Sequence, residues 1–172
     1  IHIVRDPRNI ITSLKNHFSK NDYDSVLNFM TNEKKFIGNK KVEGEFEIPT
    51  LISSWSNHYN SWKKITKNNL LIKYEDLLKE DHDEFYKIVD FLQTNLKKKF
   101  NHKQIENAID YCKFKNLRKQ EDEFGFKESP NIKNHKFFFL GPKNNWKNII
   151  NKEIQKKIED NFEKEMKELG YL

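Results

Sequence analysis

An apolar run at the start of the chain stops at an arginine, and a helix-start signal follows it at once. Residues 1–4 predict a buried strand. Asp6 is a favoured N-cap residue, and Pro7 suits the first helical position because its missing N–H group would have no partner there. Backbone N–H groups at such a junction point outward beside the positive end of the helix dipole. The sequence therefore predicts an anion site where the strand meets the helix.

The arginines of the chain are concentrated at this junction. Arg5 and Arg8 flank it, and Arg118 is the only other arginine among the 32 lysines and arginines of the sequence. The guanidinium group is a planar fork that matches phosphate oxygens in pairs, whereas the lysine ammonium group is a point charge. The choice of arginine here favours a phosphate or a similar oxyanion as the ligand.

The composition permits one domain with a hydrophobic core. The hydrophobic fraction is only 35%, but 14 Phe, 6 Tyr and 3 Trp supply bulky core material in a chain of 172 residues. The net charge of +6 permits an anionic partner, although charges of both signs are mixed, as is typical of a solvated surface. Cys112 is the single cysteine, which excludes a disulfide within the chain and a zinc site built on cysteines. We therefore expect a reducing, cytoplasmic location and no membrane span or signal peptide.

Apolar residues at helical spacing and helix-start signals predict six helices. We expect them at residues 7–18, 23–36, 49–62, 81–92 and 103–112, and from Asn151 to a stop at Gly170. Residues 70–74 form an apolar run of strand length, residues 38–44 predict an exposed loop, and residues 113–150 are expected to be mostly irregular. Two strands separated and followed by helices predict an α/β fold with a parallel sheet. Because two strands cannot form such a sheet alone, we expect an N-terminal part of the domain to be missing.

Ligands of open α/β sheets bind beyond the carboxyl ends of the strands. This rule selects Arg5, which follows the first strand, and Tyr74, which ends the second and offers a ring for stacking on a base. Ser13 follows Arg5 by about two helical turns, from where its hydroxyl would donate to an anion held by the arginine. The alternatives are a salt bridge of Arg5 with Asp6 or Glu75 and an ordinary helix-surface position for Ser13.

Four segments together resemble one protein family. Residues 3–13 read as an apolar strand, then R-D-P-R, then a serine eight residues after the first arginine. Residues 55–62 follow the pattern W-x-x-H-x-x-x-W, and residues 71–77 end in Y-E-D-L. Residues 138–148 are similar to the pattern F-x-R-K-G-x-x-G-D-W-K-N. These motifs occur in this order in bacterial-type sulfotransferases that use 3′-phosphoadenosine-5′-phosphosulfate (PAPS), a family that the chain resembles over nearly its whole length.

The resemblance implies the fold and the nucleotide contacts. The implied fold is a three-layer α/β/α domain with a parallel sheet, similar to P-loop NTPases, of which this chain is the C-terminal part. Arg5 and Ser13 would hold the 3′-phosphate of the nucleotide, and Tyr74 would contact the adenine. Phe114 would pack against the base. Gly141 would let the backbone approach the phosphate.

The resemblance also implies an activity, the transfer of a sulfuryl group from PAPS to a hydroxyl or amine. The implied acceptor is a small molecule or a carbohydrate, and no metal, nucleic acid or membrane is implied as a partner. The family's Gly/Ser/Thr-rich loop for the 5′-phosphosulfate and its catalytic histidine both precede the R-D-P-R segment. His2 lies inside the strand and His58 belongs to the helix pattern, so we assign no catalytic base here. We expect little turnover from this chain alone.

The chain departs from the family pattern beside the glycine of the last motif. Phe139 and Leu140 stand where the family has arginine and lysine, so two phosphate ligands are missing unless Lys143 or Lys147 reaches in. Asn9 replaces the usual aspartate of the first motif. More of the phosphate's charge is therefore expected to fall on the arginine and serine of that motif.

Two other classes of function stay open at this point. One is a basic module that binds nucleic acid or another polyanion without chemistry, although acidic residues interleave with the lysines nearly everywhere. The other is a nucleoside or shikimate-like kinase of the same general fold, although no G-x-x-x-x-G-K-S/T motif is present. His82, His102 and His135 are expected at the surface rather than in a metal site.

Overall fold

The structure, a computed structural model, describes residues 1–38, 48–126 and 136–172. Its strands are β1 (His2–Val4), β2 (Phe36–Ile37), β3 (Thr50–Leu51) and β4 (Leu71–Lys73). Its helices are α1 (Pro7–His17), α2 (Tyr23–Thr31), α3 (Trp55–Lys63), α4 (Tyr74–Leu77), α5 (Asp83–Leu96), α6 (His102–Tyr111), α7 (Phe114–Phe124), α8 (Trp146–Ile149) and α9 (Lys152–Glu168). Among these residues no helix is long and apolar enough to cross a membrane. Most of the loop predicted at 38–44, and His135, lie outside the described residues.

The strands form two small sheets. β1 and β4 pair in parallel, with Val4 opposite Lys73, and β2 pairs with β3 in antiparallel orientation. The predicted α/β class with a parallel strand pair is thereby confirmed, whereas the three-layer arrangement stays a prediction. β1 is not buried throughout, since Ile3 is 52% exposed between two buried neighbours. Successive side chains of a strand point to opposite faces, and a continuous apolar run does not indicate which of the two faces is exposed.

The main core lies between α1, α2 and α9. Ile11 from α1 and Ile158 and Met166 from α9 are fully buried there. Two predicted helix starts are confirmed. The Asp6 side chain accepts from the Arg8 backbone N–H at 2.9 Å, and the Asn151 side chain caps α9 in the same way. Local cap chemistry thus orients α1 and α9, the helices that carry most of the core.

Two of the predicted helices have different limits. The helix expected over 23–36 ends at Thr31, because Asn32 is extended and its side chain accepts from the Lys34 N–H. The helix expected from Pro49 begins at Trp55, where the Ser54 hydroxyl caps it. Thr50 and Leu51 belong to β3 instead. In both cases a nearby capping residue sets the limit of the helix. The apolar residues outside that limit keep a helical spacing without being helical.

Two further expectations need correction. Asp81 is not the N-cap residue of the next helix, because His82 holds that position in a left-handed conformation with φ +58°, but the Asp81 side chain still accepts from the Asp83 backbone N–H at 3.3 Å. The helix α5 also continues past Leu92 to Leu96. Of the residues within 113–150 that the structure describes, most are not irregular, since α7 and α8 lie among them. Of the residues of α7 only Glu121 is buried, so the most buried position of the helix carries a charged side chain, which apolar periodicity does not record.

A buried histidine joins β1 to α3. His2 is 4% exposed, and its ring stacks on Trp62 at 5.7 Å between centroids and lies 5.9 Å from the ring of His58. Its Nε2 atom is buried with no hydrogen-bond partner in the part of the chain that the structure describes. Burial, with the neighbouring His58 as a second cause, lowers the pKa of His2 below its ordinary value. The folded state therefore favours the neutral ring.

The buried His2 predicts that stability falls in mild acid. The unfolded chain takes up a proton at His2 near pH 6.5 while the folded chain resists it, so the free energy of unfolding should decrease as the pH falls through and below that value. His2→Phe should flatten this dependence between about pH 7 and 5.5, as measured by urea denaturation. His102→Gln, at an exposed position, is the control. An unchanged slope in His2→Phe would contradict the assignment.

Candidate functional site

Arg5 and Tyr74 meet at the carboxyl ends of the paired parallel strands. Because Val4 lies opposite Lys73, the next residue of each strand emerges at the same edge. The guanidinium carbon of Arg5 lies 4.3 Å from the centre of the Tyr74 ring, a cation–π distance. The same guanidinium donates through Nη1 to the hydroxyl of Ser13 at 3.4 Å. Three of the five residues predicted for the site are thus neighbours.

The carboxylates beside Arg5 are already engaged with other groups. Asp6 pairs with Arg8 at 2.7 Å, while Glu75 accepts from the Asp6 backbone N–H and from the Tyr171 hydroxyl, both at 2.9 Å. The salt bridge of Arg5 with Asp6 or Glu75, the alternative raised by the sequence, is therefore not formed. The Arg5 Nε atom is buried and has no partner among the described residues. Its guanidinium retains unused donors for an anion.

Arg8, the second arginine of the junction, is not available to a ligand. It is 6% exposed, and its guanidinium binds the carboxylates of Asp6 and Glu159 at 2.7 Å and the Tyr171 carbonyl at 2.8 Å. The group also lies 4.0 Å from the Trp146 ring centre. The expectation that both arginines flank an anion site is therefore wrong for Arg8, which ties the junction to the C-terminal helices.

Gly141 and Phe114, the other two predicted residues, are in direct contact. Gly141 has φ +52°, and a Cβ atom there would lie 2.4 Å from the Phe114 ring. A side chain is excluded at this position by both the backbone conformation and the ring. Gly141 begins a short turn, Gly141–Lys143, which we call the glycine turn. Phe114 is the first residue of α7, so the start of that helix packs directly on the glycine turn.

Asn144 connects these two groups of residues, and the sequence reasoning missed it. Its backbone N–H donates to the Gly141 carbonyl at 3.0 Å, and its side-chain Nδ2 donates to the Ser13 hydroxyl at 3.0 Å. The same amide donates to the Asn9 carbonyl and accepts from the Thr12 hydroxyl at 2.6 Å. Asn144 stands where the pattern of the last motif has its second glycine, and that departure was the available signal. It fixes the Ser13 hydroxyl relative to the glycine turn.

Asn9, which replaces an aspartate of the family pattern, also contacts the last motif. Its side-chain oxygen accepts from the Trp146 backbone N–H at 2.9 Å. An amide oxygen is sufficient for this bond, so the change from aspartate keeps the contact and removes a negative charge from the junction. In the described parts of the chain, no three His, Cys, Asp or Glu side chains gather as a metal site.

The sequence model of the sulfotransferase domain family matches residues 1–170. The chain belongs to the sulfotransferase family. It is 22% identical over 176 residues to cytosolic sulfotransferase 5 of Arabidopsis thaliana, an alignment that covers 99% of this chain and 52% of that protein. This sulfotransferase-family chain thus spans about half the length of the curated relative it matches.

Asn144→Ala should destabilise the protein and release the Ser13 hydroxyl. The change leaves buried partners on α1 without their hydrogen bonds, which costs about 1–3 kcal/mol of unfolding free energy. The exposed Asn148, on the neighbouring helix, is the matched control, and Asn148→Ala should stay within about 0.5 kcal/mol of the unchanged protein. Urea denaturation measures both, and equal losses would show that the Asn144 network is not a structural link.

Proposed function

We propose that this chain binds PAPS through its 3′-phosphoadenosine part and serves the transfer of its sulfuryl group to a hydroxyl or amine. Membership of the sulfotransferase family supports sulfuryl transfer as the reaction class. The observation that carries the nucleotide proposal is that the guanidinium of Arg5 has unused donors. Its buried Nε atom has no partner among the described residues, and its Nη1 atom holds the Ser13 hydroxyl close by.

The proposed ligand of Arg5 and Ser13 is the 3′-phosphate. A guanidinium group bonds a phosphate through two parallel N–H donors, and an adjacent hydroxyl adds a third. The carboxylates that would compete for Arg5 are bonded to Arg8, Tyr171 and the backbone N–H of Asp6. This phosphate distinguishes PAPS from ATP and AMP, so we infer that these two side chains set the choice of nucleotide.

The proposed adenine contacts are Tyr74 and Phe114. Arg5 covers one face of Tyr74, so the base would meet the remainder of that ring. Phe114 packs on Gly141, whose missing side chain makes room for that ring and so brings the two residues to one side of the proposed nucleotide. The Asn144 hydrogen bonds join these two parts of the site, which supports a single ligand in contact with both.

The proposed chemistry depends on positioning rather than on a group that reacts covalently. Sulfuryl transfer, like phosphoryl transfer, would proceed by in-line attack through a loose transition state that is stabilised by charge and orientation. We propose that the catalytic base and the loop for the 5′-phosphosulfate belong to sequence outside this chain. The acceptor we propose is a small molecule or a carbohydrate. Cys112 is a free, exposed thiol, which suits the reducing conditions of the cytoplasm.

The charge distribution argues against a nucleic-acid module. Several surface lysines pair with neighbouring carboxylates, as when Lys157 binds both Asp24 and Glu153 at 2.8 Å. Polyanion binding needs positive charge gathered along one stripe. The net charge of +6 is therefore better explained as a solvated surface than as a binding face.

Arg5→Ala should abolish most of the preference for 3′-phosphoadenosine-5′-phosphate over 5′-AMP. Losing a charge-assisted bond of about 1.5–3 kcal/mol should weaken binding of the former roughly 10- to 100-fold, while 5′-AMP binding changes little. Isothermal titration of the protein with each nucleotide measures this. Lys20→Ala, which removes one positive charge beyond the other end of α1, is the control. Equal affinity of the unchanged protein for both nucleotides would refute the proposal.

A further inference from the structure

One face of α7 is directed at the backbone of a distant, irregular segment. Phe114, Arg118 and Glu121 follow one another at spacings of four and three residues, which places them along one stripe of the helix. Phe114 contacts Gly141, as described above. The other two residues bind residues 137–139, the stretch that leads into the glycine turn.

Arg118 and Glu121 bind this stretch through four hydrogen bonds to the backbone. Arg118 donates through Nη1 to the carbonyls of Phe138 and Phe139 at 2.7 and 2.8 Å. Glu121 accepts from the N–H groups of Phe137 and Phe138 at 2.5 and 2.9 Å, one on each carboxylate oxygen. We call these two side chains the α7 clamp. Together they engage the N–H groups of Phe137 and Phe138 and the carbonyls of Phe138 and Phe139.

The burial of Glu121 indicates that its bonds to the backbone are a stable part of the fold. The residue is only 6% exposed, although an isolated buried carboxylate is strongly disfavoured. Both of its oxygens are used by backbone N–H groups, which are the partners that stabilise a buried carboxylate. These two bonds hold the backbone of Phe137 and Phe138 on one path beside α7.

The clamp also explains how the sequence change at Phe139 and Leu140 is accommodated. All four bonds reach backbone atoms, so they do not depend on which side chains occupy this stretch. The path into Gly141 is therefore held without the arginine and lysine of the family pattern. A basic side chain, Arg118, stands beside the stretch even though the stretch itself carries none at these two positions.

We propose that Arg118 and Glu121 are positioning residues of the nucleotide site. By fixing residues 137–139 they hold Gly141 against Phe114, and so present the glycine turn in the form that accepts the 3′-phosphoadenosine group. This inference rests on the proposed function for the identity of the ligand. The clamp acts through the backbone of the turn, without contact between Glu121 and the nucleotide.

Glu121→Gln gives a test in which positioning and electrostatics predict opposite changes in nucleotide affinity. The change removes a negative charge, which by itself strengthens binding of an anionic nucleotide. It also replaces one carboxylate oxygen by an NH₂ group, which cannot accept from a backbone N–H. The clamp predicts about 10-fold weaker binding of 3′-phosphoadenosine-5′-phosphate, measured by isothermal titration. Arg118→Met should weaken binding similarly, and Lys119→Met, which removes a positive charge from the exposed side of the same helix, should not.

Amide hydrogen exchange without nucleotide gives the second readout. Exchange at Phe137 and Phe138 should accelerate in Glu121→Gln but not in Lys119→Met. Unchanged or tighter nucleotide binding by Glu121→Gln overturns the proposal, as does unchanged exchange at both amides. If the unchanged protein shows no preference for the 3′-phosphate, the proposed function fails. Accelerated exchange then still supports the clamp as the element that fixes the glycine turn.

Discussion

The buried ion pair of Arg8 with Asp6 organises the junction on which the rest of the site depends. Burying a guanidinium group is costly unless its donors are used, and here two carboxylates, a carbonyl and the Trp146 ring surround it. The pair caps α1, ties it to α9 and removes Asp6 from competition for Arg5. Glu75 is occupied in the same way by Tyr171. The consequence is an arginine at the sheet edge with unused donors and a serine beside it.

Some of this arrangement could be predicted from the sequence because its causes are local. Asp6 and Asn151 cap their helices through N–H groups two or three residues away, so the residue types alone locate the helix starts. The meeting of Arg5 and Tyr74 follows from a general rule, since side chains that follow neighbouring parallel strands emerge at one edge. The motif resemblance added Phe114 and Gly141 to the same site, and the two residues are in contact.

The remainder depended on partners far away in the chain. Arg5 and Arg8 are the same residue type three positions apart. Asp6 binds Arg8 locally, but Glu159 and Tyr171, each more than 150 residues beyond Arg8, complete the set of partners that makes it unavailable to a ligand. The helix α7 was missed because the stripe it turns inward contains an arginine and a glutamate that bind backbone, which no apolar periodicity records. Asn144 was overlooked because its hydrogen bonds run to α1, more than a hundred residues earlier.

The most direct test of the central claim is a crystal structure of the protein in complex with 3′-phosphoadenosine-5′-phosphate. The account predicts 3′-phosphate oxygens within hydrogen-bonding distance, about 2.7–3.2 Å, of the Arg5 guanidinium and the Ser13 hydroxyl. Arg8 should remain on Asp6 and Glu159 without touching the nucleotide. A 3′-phosphate bound elsewhere, with Arg5 still bonded only to Ser13 and stacked on Tyr74, would contradict the assignment of this junction as the 3′-phosphate site.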